Sequence, residues 1–260
     1  EKGSEIGAHI LSGAVVDPKA LDELLPEWRT QGCPMAETPV SDNQHWVLGA
    51  KSKFEVPHFL APPFMNNKGT YTGSLGNLCR WLAGKAEELG VEIFPGFPAS
   101  EVLFNEDGSV KGVATQDMGV AKDGTQKGDY QAGMELHAKY TLFAEGARGH
   151  LTKQVKARFD LEANSEPQVY GIGLKELWDI DPENHAPGRV IHTQGWPVKD
   201  EDGFGGGFLY HQAGGQVALG YVVWLGYKNP YLSPFEAFQQ WKTHPDIASI
   251  LKGGRRVSYG

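Results

Sequence analysis

The feature that most constrains the fold is a series of short strand-like segments between residues 91 and 146, separated by Asp-Gly turns. VEIF, EVLF and SVKGVAT surround Asp107-Gly108, and a further pair of segments flanks Asp123-Gly124. Asp-Gly between alternating apolar and polar residues is a strong local signal for a β-hairpin. The segment ELHAKYTLFAEG closes the series. We therefore predict a β-meander that ends in an apolar strand over residues 140–144.

Helices are predicted on both sides of this meander. Residues 74–89 carry apolar side chains at three- and four-residue steps, and Gly90 supplies a C-terminal stop. KALDELL, directly after Asp17-Pro18, has the proline expected at the first position of a helix. HLTKQVKARF, at residues 150–159, is predicted as a third, short helix.

Aromatic-rich strands dominate the second half of the chain. The predicted strands are YGIGLKELW, GRVIHTQGW, FGGGFLYH and QVALGYVVWLGY, and PFEAFQQWKTHP is an amphipathic helix. A hairpin is also predicted earlier, between residues 45–48 and 53–56. Together these segments indicate a second domain built on an antiparallel sheet.

Composition excludes several classes of function. The net charge is −8, whereas a nucleic-acid partner needs a clustered basic surface. The two cysteines, Cys33 and Cys79, lack the spacing of a disulfide framework or a zinc site. No run approaches the roughly 20 apolar residues of a membrane-spanning helix. Both ends of the chain have the character of internal positions, so we expect a fragment of a longer protein.

The usual catalytic, metal-binding and nucleotide-binding motifs are absent. The sequence contains no GxSxG, HExxH, Walker A or complete GxGxxG, and its nine histidines are scattered. Any chemistry is therefore expected to come from a cofactor. FAEGARG, at residues 143–149, is either an ordinary strand-to-helix turn or a place where backbone N–H groups approach a phosphate or ring. Its position after the meander favours the second interpretation.

Several longer segments resemble one family, the electron transfer flavoprotein–ubiquinone oxidoreductases, in the same order and over essentially the whole chain. They are EKGSEIGAHILSGAVVDPKAL, PFMNNKGTY, SEVLFNEDGSVKGVAT, LHAKYTLFAEGARGHL, YGIGLKELW, GGGFLYH, NPYLSPFEAFQQWKTHP and LKGGRRVSYG. The resemblance implies an FAD-dependent enzyme with a [4Fe–4S] cluster, an electron-transferring-flavoprotein dehydrogenase. Such an enzyme takes electrons from reduced electron transfer flavoprotein and gives them to ubiquinone at a membrane face.

The implied fold class is α/β (α+β), with an incomplete Rossmann-like FAD/NAD(P)-binding domain that carries the meander and an antiparallel-sheet domain that binds quinone. The implied FAD-binding domain covers residues 1–44 and 70–165, and the implied ubiquinone-binding domain covers residues 45–69 and 166–260. The iron–sulfur domain and its cysteine ligands are expected to lie outside this chain, which by itself is expected to be inactive.

The resemblance also assigns individual residues. Glu1 would hold the adenosine ribose, since an acidic residue about 20 positions past GxGxxG has this role in dinucleotide folds. Val102 would meet the adenine through its backbone. The remaining FAD contacts would be His9, Ser12, Gly13, Ala144, Glu145 and Gly146. Phe204, Gly205 and Gly206 would form the quinone site, where glycines let a flat ring approach the peptide groups. Phe204 departs from a tyrosine expected in some relatives, which puts a polar contact there in doubt.

Two apolar segments, HFLAPPFM and YVVWLGYKNPYLSPF, are candidates for contact with the membrane surface, or alternatively for the core of the second domain. The expected location is peripheral, on the mitochondrial inner membrane or the bacterial cytoplasmic membrane. Alternative functions are an FAD-dependent prenyl reductase, an aromatic hydroxylase of the same fold, or a catalytically silent fragment.

Overall fold

The computed structural model describes residues 1–198 and 203–260, which form two compact units. The first unit comprises residues 1–8 and 87–168, and the second comprises residues 9–86 and 169–260. The strands are β1 (Gly13–Val16), β2 (Asp42–Leu48), β3 (Lys53–Glu55), β4 (Tyr71–Ser74), β5 (Ala99–Phe104), β6 (Val110–Thr115), β7 (Met118–Val120), β8 (Gln126–Gln131), β9 (Glu135–His137), β10 (Gly171–Asp179), β11 (Arg189–Gly195), β12 (Gly205–His211), β13 (Gln216–Trp224) and β14 (Arg255–Tyr259). The helices are α1 (Lys19–Leu24), α2 (Leu75–Glu88), α3 (His150–Phe159), α4 (Pro234–Lys242) and α5 (Pro245–Leu251), with 3₁₀ turns at Pro34–Glu37, His58–Leu60, Pro63–Met65 and Pro182–Asn184.

The first unit contains the predicted meander. β5, β6 and β9 form an antiparallel sheet, and β7 and β8 form a separate hairpin. Gly108 and Gly124 have φ values of 84° and 86°, a left-handed conformation that glycine adopts without a Cβ clash. The carboxylates of Asp107 and Asp123 accept the backbone N–H two residues on, which closes each turn.

Two strand predictions in this unit are wrong. VEIF, at residues 91–94, and the apolar segment at residues 140–144 are irregular, because no strand among the described residues pairs with either of them. Leu142 is 89% exposed. A continuous apolar run is typical of a strand that is buried on both faces of a parallel sheet. The sequence of residues 140–144 therefore suits a strand, but in the part of the chain that the structure describes no neighbouring strand accepts or donates the backbone hydrogen bonds that a strand needs.

The second unit is built on a seven-stranded sheet in the order β14-β10-β13-β12-β11-β2-β3. Neighbours are antiparallel except for β2 and β11, which are parallel. Helices α4 and α5 cover one face, and they bury Phe238, Trp241 and Ile247 against it. On the opposite face, the antiparallel pair β1–β4 contacts β12. A smaller core joins α1 and α2 around Trp28 and Met35.

Most predictions for this unit are confirmed. The hairpin is β2–β3, the aromatic strands are β10 to β13, and the predicted helices correspond to α1, α2 and α4; α3, in the first unit, also lies as predicted. Sequence reasoning missed α5, β14 and the β1–β4 pair. The compact units also differ in their bounds from the implied domains, because residues 9–44 and 70–86 pack with the seven-stranded sheet and its neighbours. The assignment of FAD and quinone to the two implied domains stays a prediction.

Candidate functional site

The glycine triplet lies inside a strand and not at a loop tip. Gly205 and Gly206 are the first two residues of β12, between β11 and β13 in the middle of the seven-stranded sheet. Phe204, just before the strand, is 66% exposed, and its ring centroid lies 6.0 Å from that of Trp224. The structure thus brings together the three residues predicted to contact quinone, with an aromatic ring at the open end of the strand.

Protein atoms occupy the space that side chains at these glycines would need. A Cβ on Gly205 would lie 2.9 Å from the Tyr221 hydroxyl, and one on Gly206 would lie 2.5 Å from the Thr193 carbonyl oxygen. A Cβ on Gly207 would clash with the Trp241 ring. All three glycines therefore have a packing role in the sheet in addition to any contact with a ligand.

A buried polar group lies directly beneath Gly205. Tyr221 has no exposed surface, and its hydroxyl has no hydrogen bond of normal geometry among the described residues. Burial raises the pKa of Tyr221 to about 12, with a small opposing effect from the nearby Val198 N–H. The phenol is therefore protonated at neutral pH.

The face of the sheet opposite α4 carries a second polar group, on β2, β11 and β12. The imidazole rings of His45 and His192 stack with their centroids 5.4 Å apart, and His192 Nε2 lies 2.9 Å from the Tyr210 hydroxyl. Burial, and to a smaller extent the nearby His45, lower the pKa of His192 to about 4. Burial raises the pKa of Tyr210 to about 12. Both side chains are therefore neutral at pH 7.

In the first unit, a cavity of about 1010 Å³ contains several of the predicted FAD contacts. Its lining includes Glu1, Ala144 and Glu145 together with Phe94, Phe97, Val113, Leu136 and Leu142. Gly146 adjoins this group and has a φ of 78°, with no atom near the position of a Cβ. A cavity of this volume, with mostly apolar walls and a few polar groups at its edge, is of the kind that holds a cofactor.

Some of these residues already have partners in the protein. The Glu145 carboxylate accepts hydrogen bonds from the backbone N–H groups of Leu151 and Thr152, so it satisfies the amino end of α3. Burial acts to raise the pKa of Glu145, but these bonds outweigh it and the pKa is lowered. The Val102 N–H donates to Gln154 Oε1 at 3.1 Å, so this part of its backbone is engaged. Glu1 Oε1 accepts the N–H of Gly3 at 2.6 Å.

The other predicted FAD contacts belong to the second unit. His9 is exposed, Ser12 Oγ donates to the Gly13 carbonyl, and Gly13 starts β1. A Cβ on Gly13 would lie 2.6 Å from both Ala218 Cβ and Gln212 Nε2. The Gln212 side chain is buried, and its amide nitrogen has no partner among the described residues. A buried donor without an acceptor beside Gly13 is a feature that a bound polar group would satisfy.

The described residues fit FAD better than they fit an iron–sulfur cluster. The cavity of the first unit and the unpaired Gln212 amide both suit a large cofactor with carbonyl and hydroxyl groups. The chain has only two cysteines, whereas a [4Fe–4S] cluster is held by four thiolates. Cys33 is buried in the smaller core, and this burial raises the pKa of its thiol. Within residues 1–198 and 203–260, no group of three or more His, Cys, Asp or Glu side chains is arranged to bind a metal.

Among the helices that the structure describes, none combines the length and the apolar character required to cross a bilayer.

Sequence reasoning missed the His45–His192–Tyr210 group. These residues lie far apart along the chain, and only the parallel register of β2 and β11, which sets His45 beside His192, brings the imidazole rings together. The one available signal was the alternation of polar and apolar residues in each strand. This alternation predicts a polar face for each strand, but it does not predict which strands lie beside one another.

Comparison with solved structures defines the class of protein. The fold matches that of a geranylgeranyl bacteriochlorophyll reductase-like protein from Thermoplasma acidophilum with a TM-score of 0.65, at 14% identity, over 100% of this chain and 57% of that chain. A flavoprotein/dehydrogenase from Cytophaga hutchinsonii matches with a TM-score of 0.60, at 14% identity, over 99% of this chain and 57% of that chain. The chain therefore has the FAD/NAD(P)-binding fold of flavin-dependent oxidoreductases, as predicted, together with antiparallel sheets.

Comparison with curated sequences shows similarity to one group of enzymes along the whole chain. The whole chain is 55% identical to the electron transfer flavoprotein-ubiquinone oxidoreductase of Pseudomonas aeruginosa, of which it covers 47%. It is also 55% identical to the mitochondrial electron transfer flavoprotein-ubiquinone oxidoreductase of Bos taurus, of which it covers 42%. Residues 170–260 match the family model described as ETF-QO, ubiquinone-binding. Along its whole length the chain is therefore similar to electron transfer flavoprotein–ubiquinone oxidoreductases, and it spans a little less than half the length of these relatives.

Proposed function

We propose that this chain is part of an FAD-dependent oxidoreductase, an electron-transferring-flavoprotein dehydrogenase that passes electrons from reduced electron transfer flavoprotein to ubiquinone at a membrane surface. The observation that carries the proposal is that the whole chain is 55% identical to two enzymes named electron transfer flavoprotein-ubiquinone oxidoreductase. The match of residues 170–260 to a ubiquinone-binding model supports a quinone site on the seven-stranded sheet. The prenyl reductase alternative rests on a 14% likeness, which extends to the fold alone.

The residues proposed to bind FAD are found in both units. In the first unit these are Glu1, Ala144, Glu145 and Gly146 at the cavity, with Val102 on the neighbouring sheet. In the second unit they are His9, Ser12 and Gly13, beside the unpaired Gln212 amide. Bound FAD would supply the redox chemistry, accepting electrons singly and passing on two. The protein residues bind and orient the ring and exclude water from it.

The quinone head is proposed to bind at Phe204, Gly205 and Gly206. In this position the exposed Phe204 ring supplies an apolar wall, and the strand glycines let the head approach the backbone. A [4Fe–4S] cluster, if the full-length protein contains one, takes its ligands from outside this chain. The protein is proposed to lie on the mitochondrial inner membrane or the bacterial cytoplasmic membrane.

The first experiment is to express the full reading frame and to measure bound flavin, iron and acid-labile sulfide together. Flavin with four irons, and reduction of a short-chain ubiquinone by reduced electron transfer flavoprotein, is the expected result. Flavin without iron would favour a reductase or hydroxylase of the same fold. Neither flavin nor iron would leave the fold without the proposed activity.

The quinone site has a direct test in the full-length protein. Phe204→Ala should weaken the binding of short-chain ubiquinone and leave the melting temperature unchanged, because this ring lies outside the core. Phe54→Ala removes a ring of similar exposure from β3 and is the matched control. Equal affinities in both variants would place the quinone elsewhere.

A further inference from the structure

A continuous set of four side-chain rings crosses the face of the seven-stranded sheet opposite α4. His45 stacks on His192, His192 contacts the Tyr210 hydroxyl, and the Tyr210 and Phe208 rings stack with centroids 4.7 Å apart. Phe208 in turn lies over Gly220, where a Cβ would come within 2.6 Å of its ring. These are four aromatic groups from three adjacent strands, and three of them carry a polar hydrogen-bonding atom.

This set shares its face with the proposed quinone site. Gly206, Phe208 and Tyr210 occupy alternate positions of β12, so their Cβ directions are on the same side of the sheet. In the pairing of β11 with β12, His192 lies opposite Phe208. Phe208 is two residues along β12 from Gly206. Alternate residues of a strand are about 7 Å apart. A quinone with one carbonyl oxygen at Gly206 can therefore extend its ring and its second carbonyl toward His192.

The direction of the hydrogen bond between Tyr210 and His192 decides which ring nitrogen of His192 carries the proton. Both groups are neutral at pH 7, given a Tyr210 pKa of about 12 and a His192 pKa of about 4. If the phenol O–H donates to His192 Nε2, the ring proton of the neutral imidazole is on Nδ1. His192 Nδ1 is buried and has no partner among the described residues. A buried donor without an acceptor costs free energy unless a ligand supplies the acceptor.

We propose that His192 donates a hydrogen bond from Nδ1 to a carbonyl oxygen of the quinone, and that Tyr210 holds His192 in the tautomer that makes this possible. Quinone carbonyls only accept hydrogen bonds, so they match an unpaired N–H group. The inference deepens the proposed function and rests on it, since it names the residue that recognises the substrate. His45, which contacts the Met65 carbonyl oxygen at 3.0 Å, holds the other side of the His192 ring.

The same arrangement supplies a proton for the reaction. Reduction of a quinone to a quinol takes two electrons, from the flavin of the full-length enzyme, and two protons. For one of these protons, the His192 Nδ1–H bond breaks as the quinone O–H bond forms. In the same step the Tyr210 O–H proton passes to Nε2, and solvent returns a proton to the tyrosine oxygen. Solvent also supplies the second proton of the quinol. The His192–Tyr210 pair ends neutral, with the imidazole proton on Nε2, and a tautomer exchange restores the starting state.

Quinone binding to the oxidised full-length holoenzyme tests the hydrogen bond without turnover. We expect His192→Phe to raise the dissociation constant for a short-chain ubiquinone about tenfold, which is the effect of one lost hydrogen bond. His192→Gln keeps an N–H donor and should stay within about threefold of the wild type. His137→Phe, on β9 of the first unit, is the control for loss of a half-exposed histidine. An unchanged dissociation constant in His192→Phe overturns the proposal.

The tautomer has its own measurement. In protein labelled with ¹⁵N-histidine, His192 should show a protonated Nδ1 and an unprotonated Nε2 at pH 7, and Tyr210→Phe should remove this preference. Tyr231→Phe, at a 92% exposed residue, should leave the spectrum unchanged. Protonated Nε2 in the wild type would contradict the inference. This readout does not depend on whether the enzyme turns over.

Turnover separates this inference from the proposed function. The rate of quinone reduction should fall about 10²-fold in His192→Phe at saturating quinone, a typical effect of losing a general acid. A wild-type enzyme that neither binds nor reduces ubiquinone would overturn the proposed function itself. A wild type that does both, with His192→Phe equal to it, would overturn only the role of His192.

Discussion

At the residue scale, the glycines of β12 show how packing and binding share the same positions. Gly205, Gly206 and Gly207 face the Tyr221 hydroxyl, the Thr193 carbonyl and the Trp241 ring. Trp241 Nε1 and the Gly207 N–H both donate to Thr193 Oγ1, at 2.9 and 3.1 Å. Because these three residues have no side chains, α4 can approach the sheet closely. For the same reason, no side chain projects from the first three residues of β12.

Gly207→Ala is expected to destabilise the second unit. Its Cβ would clash with the buried Trp241 ring, and overpacking of this kind costs about 1–3 kcal/mol. Gly84→Ala is the matched control: the site lies inside α2 with no atom within 4 Å of the new Cβ, so the variant should be up to about 1 kcal/mol more stable. Urea denaturation of both variants gives the comparison. Equal stabilities would show that the Trp241 contact is not tight.

Buried neutral histidines predict a loss of stability in mild acid. Burial, with smaller effects of His185 and Arg189, lowers the pKa of His211 to about 3, and burial with His45 lowers that of His192 to about 4. In the unfolded chain both have a pKa near 6.5. Below pH 6.5 the unfolded state therefore binds more protons than the folded state, and stability falls as pH falls.

We expect each of these histidines to lower the free energy of unfolding by about 1 kcal/mol as the pH falls from 7 to 5.5. Denaturation measured at the two pH values checks this, and His211→Gln should make the pH dependence shallower. His150→Gln, at a histidine whose side chain is 60% exposed, should leave the slope unchanged. A wild-type stability that is flat over this range would contradict the assignment.

At the scale of elements, one buried carboxylate joins three of them. Glu176 on β10 is 3% exposed, and its oxygens lie 2.8 Å from Lys242 Nζ of α4 and 3.3 Å from Arg256 of β14. Trp178 Nε1 also donates to it, at 2.8 Å. A buried charge with this many partners fixes the position of α4 and β14 against the sheet.

Glu176→Gln is expected to lower the unfolding free energy by about 3 kcal/mol, because it leaves the Lys242 ammonium largely buried without its counter-charge. Arg255→Gln removes the pair with Asp179, in which the arginine side chain is 80% exposed, and should cost less than about 1 kcal/mol. Thermal or urea unfolding of the two variants measures the difference. Similar losses in both would mean that the buried pair has no special role.

At the scale of the whole molecule, exposed aromatic groups gather on the proline-rich segment at residues 57–65. Phe59 and Phe64, in consecutive 3₁₀ turns of the second unit, are each 85% exposed, and Leu60 between them is 62% exposed. Large apolar side chains exposed together mark an interaction surface. The core alternative for HFLAPPFM does not apply to these side chains. In the second apolar segment, Tyr221 and Val223 are buried in the sheet, as the core alternative predicts. Its other large apolar residues include four exposed ones, Val222, Leu225, Tyr231 and Phe235.

In liposome flotation of the full-length protein, Phe59→Asp with Phe64→Asp is expected to reduce the membrane-bound fraction, because it replaces two exposed apolar rings by charges that oppose contact with a bilayer. The control carries two Asp substitutions at exposed leucines elsewhere, Leu24→Asp with Leu161→Asp. Flotation unaffected by the phenylalanine variant would show that this segment does not contact the bilayer.

The sequence by itself determined the local elements, because helices and hairpins depend on residues close together in the chain. Asp107-Gly108 and Asp123-Gly124 specify their turns, and the apolar steps of residues 74–89 specify α2. The long segments that resemble electron transfer flavoprotein–ubiquinone oxidoreductases were sufficient to predict the relatives to which the chain is similar. The two strand predictions that failed, at residues 91–94 and 140–144, fall on segments with no neighbouring strand to pair with among the described residues.

Only the tertiary structure decided which distant residues meet. The parallel register of β2 with β11 stacks His45 on His192, and the antiparallel register of β11 with β12 sets His192 within reach of Tyr210. Burial in that sheet then moves the pKa of both His192 and Tyr210 away from their ordinary values. Pairing between strands far apart in sequence follows from the packing of the entire sheet, and a shift of one residue would turn every one of these side chains to the other face.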